Sequence, residues 1–598
     1  MPLTKLDRLA TAHGIGLTRP SAEAREVAVS DETKRKLLAA INAGGTETSK
    51  CYLPSHLEQD RVWGISLQLY ELRSARNWGI GDFTDLAEIC QLAGRLGADF
   101  VGLNPLHAPF MAAPERCSPY EPSSRQFLNP LYIAVDQVSG FSGSSTLNRK
   151  LETLRRSDLI DYTAVAAAKL AALRNIWRRR KSWLAAEKRA LEDFQDQGGE
   201  ALWRHALFEA LSERMAAKGD GAGWTNWPAE FQNPESELVA RFARDHRASI
   251  EFHIWLQYLA HTQLLQAADI AQRAGLRIGL YLDLAVGEAL DGSGTWSDRD
   301  AYVWGASIGS PPDPWAVNGQ DWRLAALQPA TIAAGRGAPF RKVLDAAMRY
   351  AGAIRIDHAA ALRRLFLVPF DASPTEGAYV SYPEGQLLSV LSERSEAWKC
   401  LVIGEDLGLI PEGLRDTLQQ SRILSYRILS YEKTQRRFIS PSKYPRLALA
   451  CVSTHDHQTM NGWWRGKDVK MRQDHGLIPD ESAAEQFEER DRDRAALRRA
   501  FKAEGIILPP EKSIAESDFV EDLVAGAYKY LAKSPSLLVA ARLADMIDEP
   551  MPTNVPGTSD TYPNWKPRLS VALEQLEKSS LFVRIVEEIK AERARGRG

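Results

Sequence analysis

The chain has 598 residues, about four domains at ~150 residues each, and 44% of it is hydrophobic, enough for a large packed core and too much for a disordered chain. Seventy-five Lys and Arg against 77 Asp and Glu leave a formal net charge of −2, so no global field draws it onto nucleic acid or an anionic membrane, and a neutral substrate fits better. No run of about 18 apolar residues occurs, which excludes a spanning helix, and five scattered cysteines (Cys51, Cys90, Cys117, Cys400, Cys451) lack the spacing of a zinc site or a disulfide scaffold.

Lys5, Asp7, Arg8 and His13 break up the apolar N-terminus, so it holds no secretory core, and with reduced thiols this predicts a cytoplasmic protein. Residues 1–55 read as a short helical segment: Leu6, Leu9 and Ala10, then a capped start at 30–33 leading into 36–41. From Arg61 onward, apolar runs of strand length alternate with helical stretches. The strands are expected at 62–70, 99–106, 276–284, 353–357, 400–404, 423–429, 447–453 and 536–543. Eight is the number of an α/β (β/α)8 TIM barrel, assigned here to residues 56–598.

Large helical insertions at about 109–275 and 465–533 interrupt the alternation. The charge run 488–499 mixes acids and bases, which favours a solvated helix face over a nucleic-acid contact, and 177–181 reads the same way.

Barrels carry their chemistry at the C-terminal ends of strands. The fourth strand ends Ala353-Ile-Arg-Ile-Asp-His358, where alternation puts Arg355 and Asp357 on one face. An arginine beside an aspartate favours the ionised carboxylate that a nucleophile needs, although taken alone the pair is better explained as a structural ion pair at a strand end. The fifth strand breaks into Glu405 and Asp406, and apolar surroundings with nearby negative charge would keep Glu405 protonated as a general acid. The seventh delivers Ser453-Thr-His-Asp-His457. His455 and His457 lie on one side of an extended chain and Asp456 on the other, which favours recognition of sugar hydroxyls over metal ligation. The third strand adds Asp283. Jointly these acids describe an acidic pocket at one mouth of the barrel. That suits glycosyl transfer with retention, in which a nucleophilic carboxylate and a protonated partner stand about 5 to 5.5 Å apart.

From about Arg61 to Arg568 the sequence resembles the 4-α-glucanotransferases (amylomaltases, disproportionating enzymes) of the α-amylase superfamily. The likeness rests on Arg76-Asn-Trp-Gly-Ile-Gly-Asp-Phe83, Ser118-Pro-Tyr-Glu-Pro-Ser-Ser-Arg125, Leu128-Asn-Pro-Leu-Tyr132, Ser310-Pro-Pro-Asp313 and Gly319-Gln-Asp-Trp322. It continues through Arg355-Ile-Asp-His358, Gly404-Glu-Asp-Leu-Gly408, Ser453-Thr-His-Asp456, Gly462-Trp-Trp464, Asn554-Val-Pro-Gly-Thr558 and Pro563-Asn-Trp565. The resemblance implies Asp357 as nucleophile, Glu405 as general acid/base and Asp456 as the acid that distorts the donor sugar and stabilises the transition state. It implies that Tyr120 stacks on a donor-side ring, that Asp283, Arg355, Asp406 and His455 hold sugar hydroxyls or the nucleophile, and that Gln320 and Trp322 lie on a mobile loop beside the acceptor sites. Asn554 is carried over as a further substrate contact.

Donor and acceptor would be maltooligosaccharides or longer α-glucans, with no nucleic acid and no membrane. No cofactor or metal is expected, because phosphate-cradling glycine loops and paired metal-ligand spacings are absent. The departure Ala359-Ala-Ala361, where the family carries bulkier residues and a glycine, implies a wider pocket floor. The competing readings are an α-1,4-glucan hydrolase on the same barrel and a catalytically silent glucan-binding protein.

Overall fold

The computed structural model describes residues 4–12, 15–20, 26–44, 50–312, 318–335, 337–435, 437–511, 515–558 and 561–594. Two compact units emerge, Met1–Lys50 and Cys51–Gly598. The first holds helices Lys5–Ala12 and Asp31–Gly44 and, between them, an antiparallel pair, Thr18–Pro20 with Glu26–Ala28, that helical periodicity did not anticipate. Ser30 Oγ caps the second helix by accepting the Thr33 N–H at 3.1 Å, and Lys34 reaches Asp7 at 2.6 Å.

The second unit is built on eight parallel strands: β1 (Val62–Ser66), β2 (Phe100–Gly102), β3 (Gly279–Leu284), β4 (Ala353–Ile356), β5 (Leu401–Gly404), β6 (Leu424–Ile428), β7 (Ala448–Cys451) and β8 (Leu538–Arg542). They close in sequence order, β8 pairing with β1, so the chain forms the (β/α)8 barrel that its run pattern predicts. Each apolar run held a strand of only three to six residues because a strand in a tilted barrel leaves the sheet once its partner ends. Val62, Phe100, Tyr281, Leu401, Tyr426 and Leu449 fill the interior. Phe100 and Tyr281 meet edge to face at 5.9 Å, and Gly64 makes room for this layer, since a Cβ there would stand 2.3 Å from the Phe100 carbonyl oxygen.

Two groups of helices enlarge the barrel. Between β2 and β3 lie Ser145–Arg156, Tyr162–Arg178, Ala185–Lys218, Glu237–Asp245 and Arg247–Arg273; between β7 and β8 lie Lys467–Asp474, Asp480–Ala503 and Glu516–Ala532. The mixed-charge run lies on Asp480–Ala503 and is not wholly a solvated face. Arg490 turns inward, bonds Asp468 through two contacts of 2.7 Å and stacks on Trp463 at 4.5 Å.

The loops after β3 and β4 also build a five-stranded antiparallel sheet that the sequence reading did not foresee. Its order is Ala378–Ser381, Arg364–Pro369, Ala306–Ser310, Gln320–Ala325 and Glu288–Ala289. Among the described residues no helix is long and apolar enough to cross a membrane.

Candidate active site

Strand register assembles the first half of the site. Arg355 of β4 pairs directly with Asp283 of β3, and neighbours in register share a face. Arg355 Nη1 therefore lies 2.8 Å from both Asp283 carboxylate oxygens, while its Nη2 reaches Asp357 Oδ1 at 2.9 Å. One guanidinium thus braces two carboxylates, and its own protonation is held well above the usual range by those charges even though burial opposes it.

After Asp357 the backbone turns sharply, with His358 in the left-handed region at φ 49°. Such strain in a non-glycine residue costs about 1 kcal/mol and persists only where its surroundings enforce it. Here the turn aims the His358 N–H at Glu405 Oε2, 3.0 Å away. Glu405 Oε1 accepts the Leu407 N–H at 2.8 Å, so both carboxyl oxygens are held by backbone donors. Burial, with the nearby Asp357 and Asp406 charges, pushes Glu405 up to about 7 against the pull of Arg355 and the Leu407 N–H.

Asp406 follows Glu405 and points the opposite way. It is wholly buried, accepts the Tyr426 N–H at 2.9 Å and the Ser425 hydroxyl at 2.5 Å, and pairs with Arg415 at 2.9 Å. Its carboxyl is thus taken up by protein partners between β5 and β6, with none of its surface open to a sugar.

The second half comes from the loops after β7 and β8. His455 Nε2 stands 3.1 Å from Asp456 Oδ2, and Asn554 donates to Asp456 Oδ1 at 2.8 Å. Burial opposes the charge on Asp456, yet His455 and Asn554 hold its carboxyl well below the usual carboxylate range. The Tyr120 hydroxyl donates to Asp283 Oδ2 at 2.7 Å and stands 3.3 Å from His455 Nδ1. Its ring stacks on His455 at 4.7 Å, so one of its faces is already occupied. The two halves are therefore one polar circuit running from Asp357 through Arg355, Asp283, Tyr120 and His455 to Asp456.

Gln320 and Trp322 sit on a strand of the antiparallel sheet instead of the expected mobile loop. A bulge between Asp321 and Leu324, with Arg323 at φ 55°, lets Trp322 turn towards the barrel. Its indole N–H donates to Gln320 Oε1 at 3.0 Å, and its ring meets His358 edge on at 5.6 Å. Asp313 of the preceding motif lies outside the described residues. Ala359 and Ala360 are buried, and a Cβ on Gly404 would stand 3.1 Å from that of Ala359. Ala359 thus packs closely against the end of β5.

Two aromatics went unmarked in the sequence reading of side-chain roles. Trp565 tilts against both Tyr120 at 5.6 Å and His455 at 5.7 Å, and Tyr431 reaches His457. Both sit in loops without periodicity, where no sequence pattern reports what a ring faces. Among the described residues no group of three or more His, Cys, Asp or Glu is arranged to hold a metal ion.

A family model described as 4-alpha-glucanotransferase matches residues 67–574. The 4-alpha-glucanotransferase of Haemophilus influenzae is 34% identical over 543 residues, covering 87% of this chain and 77% of that protein. That of Mycobacterium tuberculosis is 36% identical over 536 residues, covering 86% and 72%. Among solved structures, amylomaltase from Corynebacterium glutamicum superposes with a TM-score of 0.79 at 30% identity, covering 90% of this chain and 77% of that one. Streptococcus agalactiae amylomaltase, solved with acarbose, shares the fold with a TM-score of 0.71 at 18% identity, covering 89% and 99%.

Proposed function

The chain belongs to the 4-alpha-glucanotransferase family, and from that premise we propose that its barrel mouth transfers α-1,4-glucan segments between maltooligosaccharides, or starch and glycogen chains, by retaining double displacement. Catalysis is assigned to the barrel unit, residues 56–598. The observation that carries the reading is the pair Asp357 and Glu405: a carboxylate braced by Arg355 beside a carboxyl pushed up to about 7.

Asp357 attacks the anomeric carbon while Glu405 gives its proton to the departing 4-oxygen, leaving a β-glucosyl ester on Asp357. Glu405, now ionised, takes the proton of an incoming glucan 4-hydroxyl, whose oxygen attacks the same carbon and frees Asp357. Asp456, held anionic and fixed by Asn554 and His455, stabilises the positive charge that develops on the donor ring. Asp283, Tyr120 and Arg355 orient the nucleophile and sugar hydroxyls, and Trp322 with Gln320 borders the acceptor side. Asp406 serves by fixing the β5 terminus that carries Glu405. Five free cysteines fit a reducing cytoplasm as the compartment.

The test is incubation with maltotriose. Transfer produces glucose together with a ladder of longer maltooligosaccharides, whereas shorter sugars alone would mean hydrolysis and contradict the reading.

A further inference from the structure

We propose that His457 is a positioning residue for this same reaction, fixing the ring of Tyr431 across the acceptor side of the mouth; the inference rests on the glucan-transfer reading above. Tyr431 ends the short turn Leu429–Tyr431 that follows β6, and it is half exposed, with 50% of its surface open. Burial of the remainder, then the charges of Asp456 and Glu405, push its phenol up to about 12, so the ring stands in the field of both acids. Glu405 protonates the departing oxygen, which places the incoming sugar on the Glu405 side of the anomeric carbon. A half-exposed aromatic there offers that sugar a flat apolar face.

An unanchored side chain at this place would lose its rotamer freedom on every binding event. Tyr431 is anchored beforehand. Its hydroxyl lies 2.8 Å from His457 Nε2, while His457 Nδ1 lies 2.7 Å from Thr454 Oγ1. Thr454 Oγ1 in turn accepts the Asp456 N–H at 3.3 Å, and the His457 carbonyl accepts from Arg542 at 2.8 Å. Burial drives the imidazole down to about 4, so it is neutral near pH 7, with one nitrogen donating and the other accepting. The Thr454 hydroxyl can therefore donate to Nδ1 and the Nε2–H to the Tyr431 oxygen, which leaves the phenol O–H free for a sugar hydroxyl. One imidazole thus ties the turn bearing Asp456 to the aromatic wall after β6.

The experiment measures initial rates of transfer from maltotriose to varied maltose for the wild type, Tyr431→Phe, His457→Leu and His457→Gln, with thermal unfolding of each. Tyr431→Phe and His457→Leu are expected to raise acceptor KM about three- to tenfold, more than they change kcat. His457→Gln, whose amide can still donate to the Tyr431 oxygen, is expected to restore most of that loss. An acceptor KM within about twofold of wild type in both Tyr431→Phe and His457→Leu overturns the proposal, as does a His457→Gln enzyme no better than His457→Leu. Tyr431→Phe changes one half-exposed hydroxyl and keeps the test valid if His457→Leu fails to fold. A wild type that makes no longer maltooligosaccharides overturns the transfer reading and this inference with it, whereas normal transfer with an unmoved acceptor KM overturns this inference alone.

Discussion

Among the described residues, two clusters of acids and histidines invite comparison, one at the barrel mouth and one buried in the insertion between β2 and β3. In the insertion between β2 and β3, Glu209, His205 and His253 are each about as buried as a core leucine, with 2% of their surface open. His205 stacks on Phe127 at 4.2 Å and bonds Ser293 at 2.8 Å, while His253 faces Glu213, which pairs with Arg174 at 2.5 Å. Burial and Glu213 push Glu209 up to about 8, a larger departure than that of Glu405. A shifted acidity therefore does not by itself mark a catalytic carboxyl. Glu405 differs in having two backbone donors aimed at it, an arginine-braced aspartate beside it and a place at a strand end where a substrate arrives.

The largest test of that contrast is Asp357→Asn, which removes the nucleophile while leaving the side chain's shape. Turnover of maltotriose should fall by about 10⁴-fold or more, with glucan binding retained in a calorimetric titration. Glu405→Gln comes next, with a loss of about 10²–10⁴-fold. In the wild type, kcat/KM for the donor should fall as pH rises through about 7, because the first step needs protonated Glu405. The variant's residual activity should lack that basic limb.

Arg355→Lys keeps a charge but cannot reach Asp283 and Asp357 together, so a loss of about 10- to 100-fold is expected. Glu209→Gln should leave transfer rates unchanged and alter stability instead. Burial raises the folded-state pKa of Glu209 from 4.5 to about 8, so wild-type stability is fully present below about 4.5 and declines as pH rises through about 8. The variant escapes that decline and should melt higher than wild type at pH ~9, with the gap closing towards pH ~5. A loss of activity in Glu209→Gln would erase the distinction between the two clusters.

Much of this was legible in the sequence because barrel strands are buried on both sides and so read as apolar runs broken by polar ends. Asp283, Asp357, Glu405 and Asp456 stood out because an acid at the end of such a run has few other reasons to be there, and Arg355 because alternation puts it on the face of Asp357. The outer antiparallel sheet was not legible. Strands such as Ala306–Ser310 are short and carry Ser307 and Gly309, and their pairing depends on partners as distant as Arg364–Pro369. Asp406 was open to a stricter reading, since adjacent residues on an extended strand face opposite ways and Glu405 and Asp406 could not both face the sugar. Trp565 stood out only as part of a family motif and Tyr431 not at all, because a loop aromatic has no period to reveal what its ring faces.

The central claim is that Asp357 forms the covalent intermediate, and mass spectrometry of Glu405→Gln incubated with an α-maltosyl fluoride tests it most directly. Fluoride leaves without a proton donor, and the second step lacks its base, so the ester should accumulate. The account predicts a peptide containing Asp357 that carries the maltosyl group. The same group on another residue, or fluoride release with no enzyme-bound sugar at any time, would contradict it.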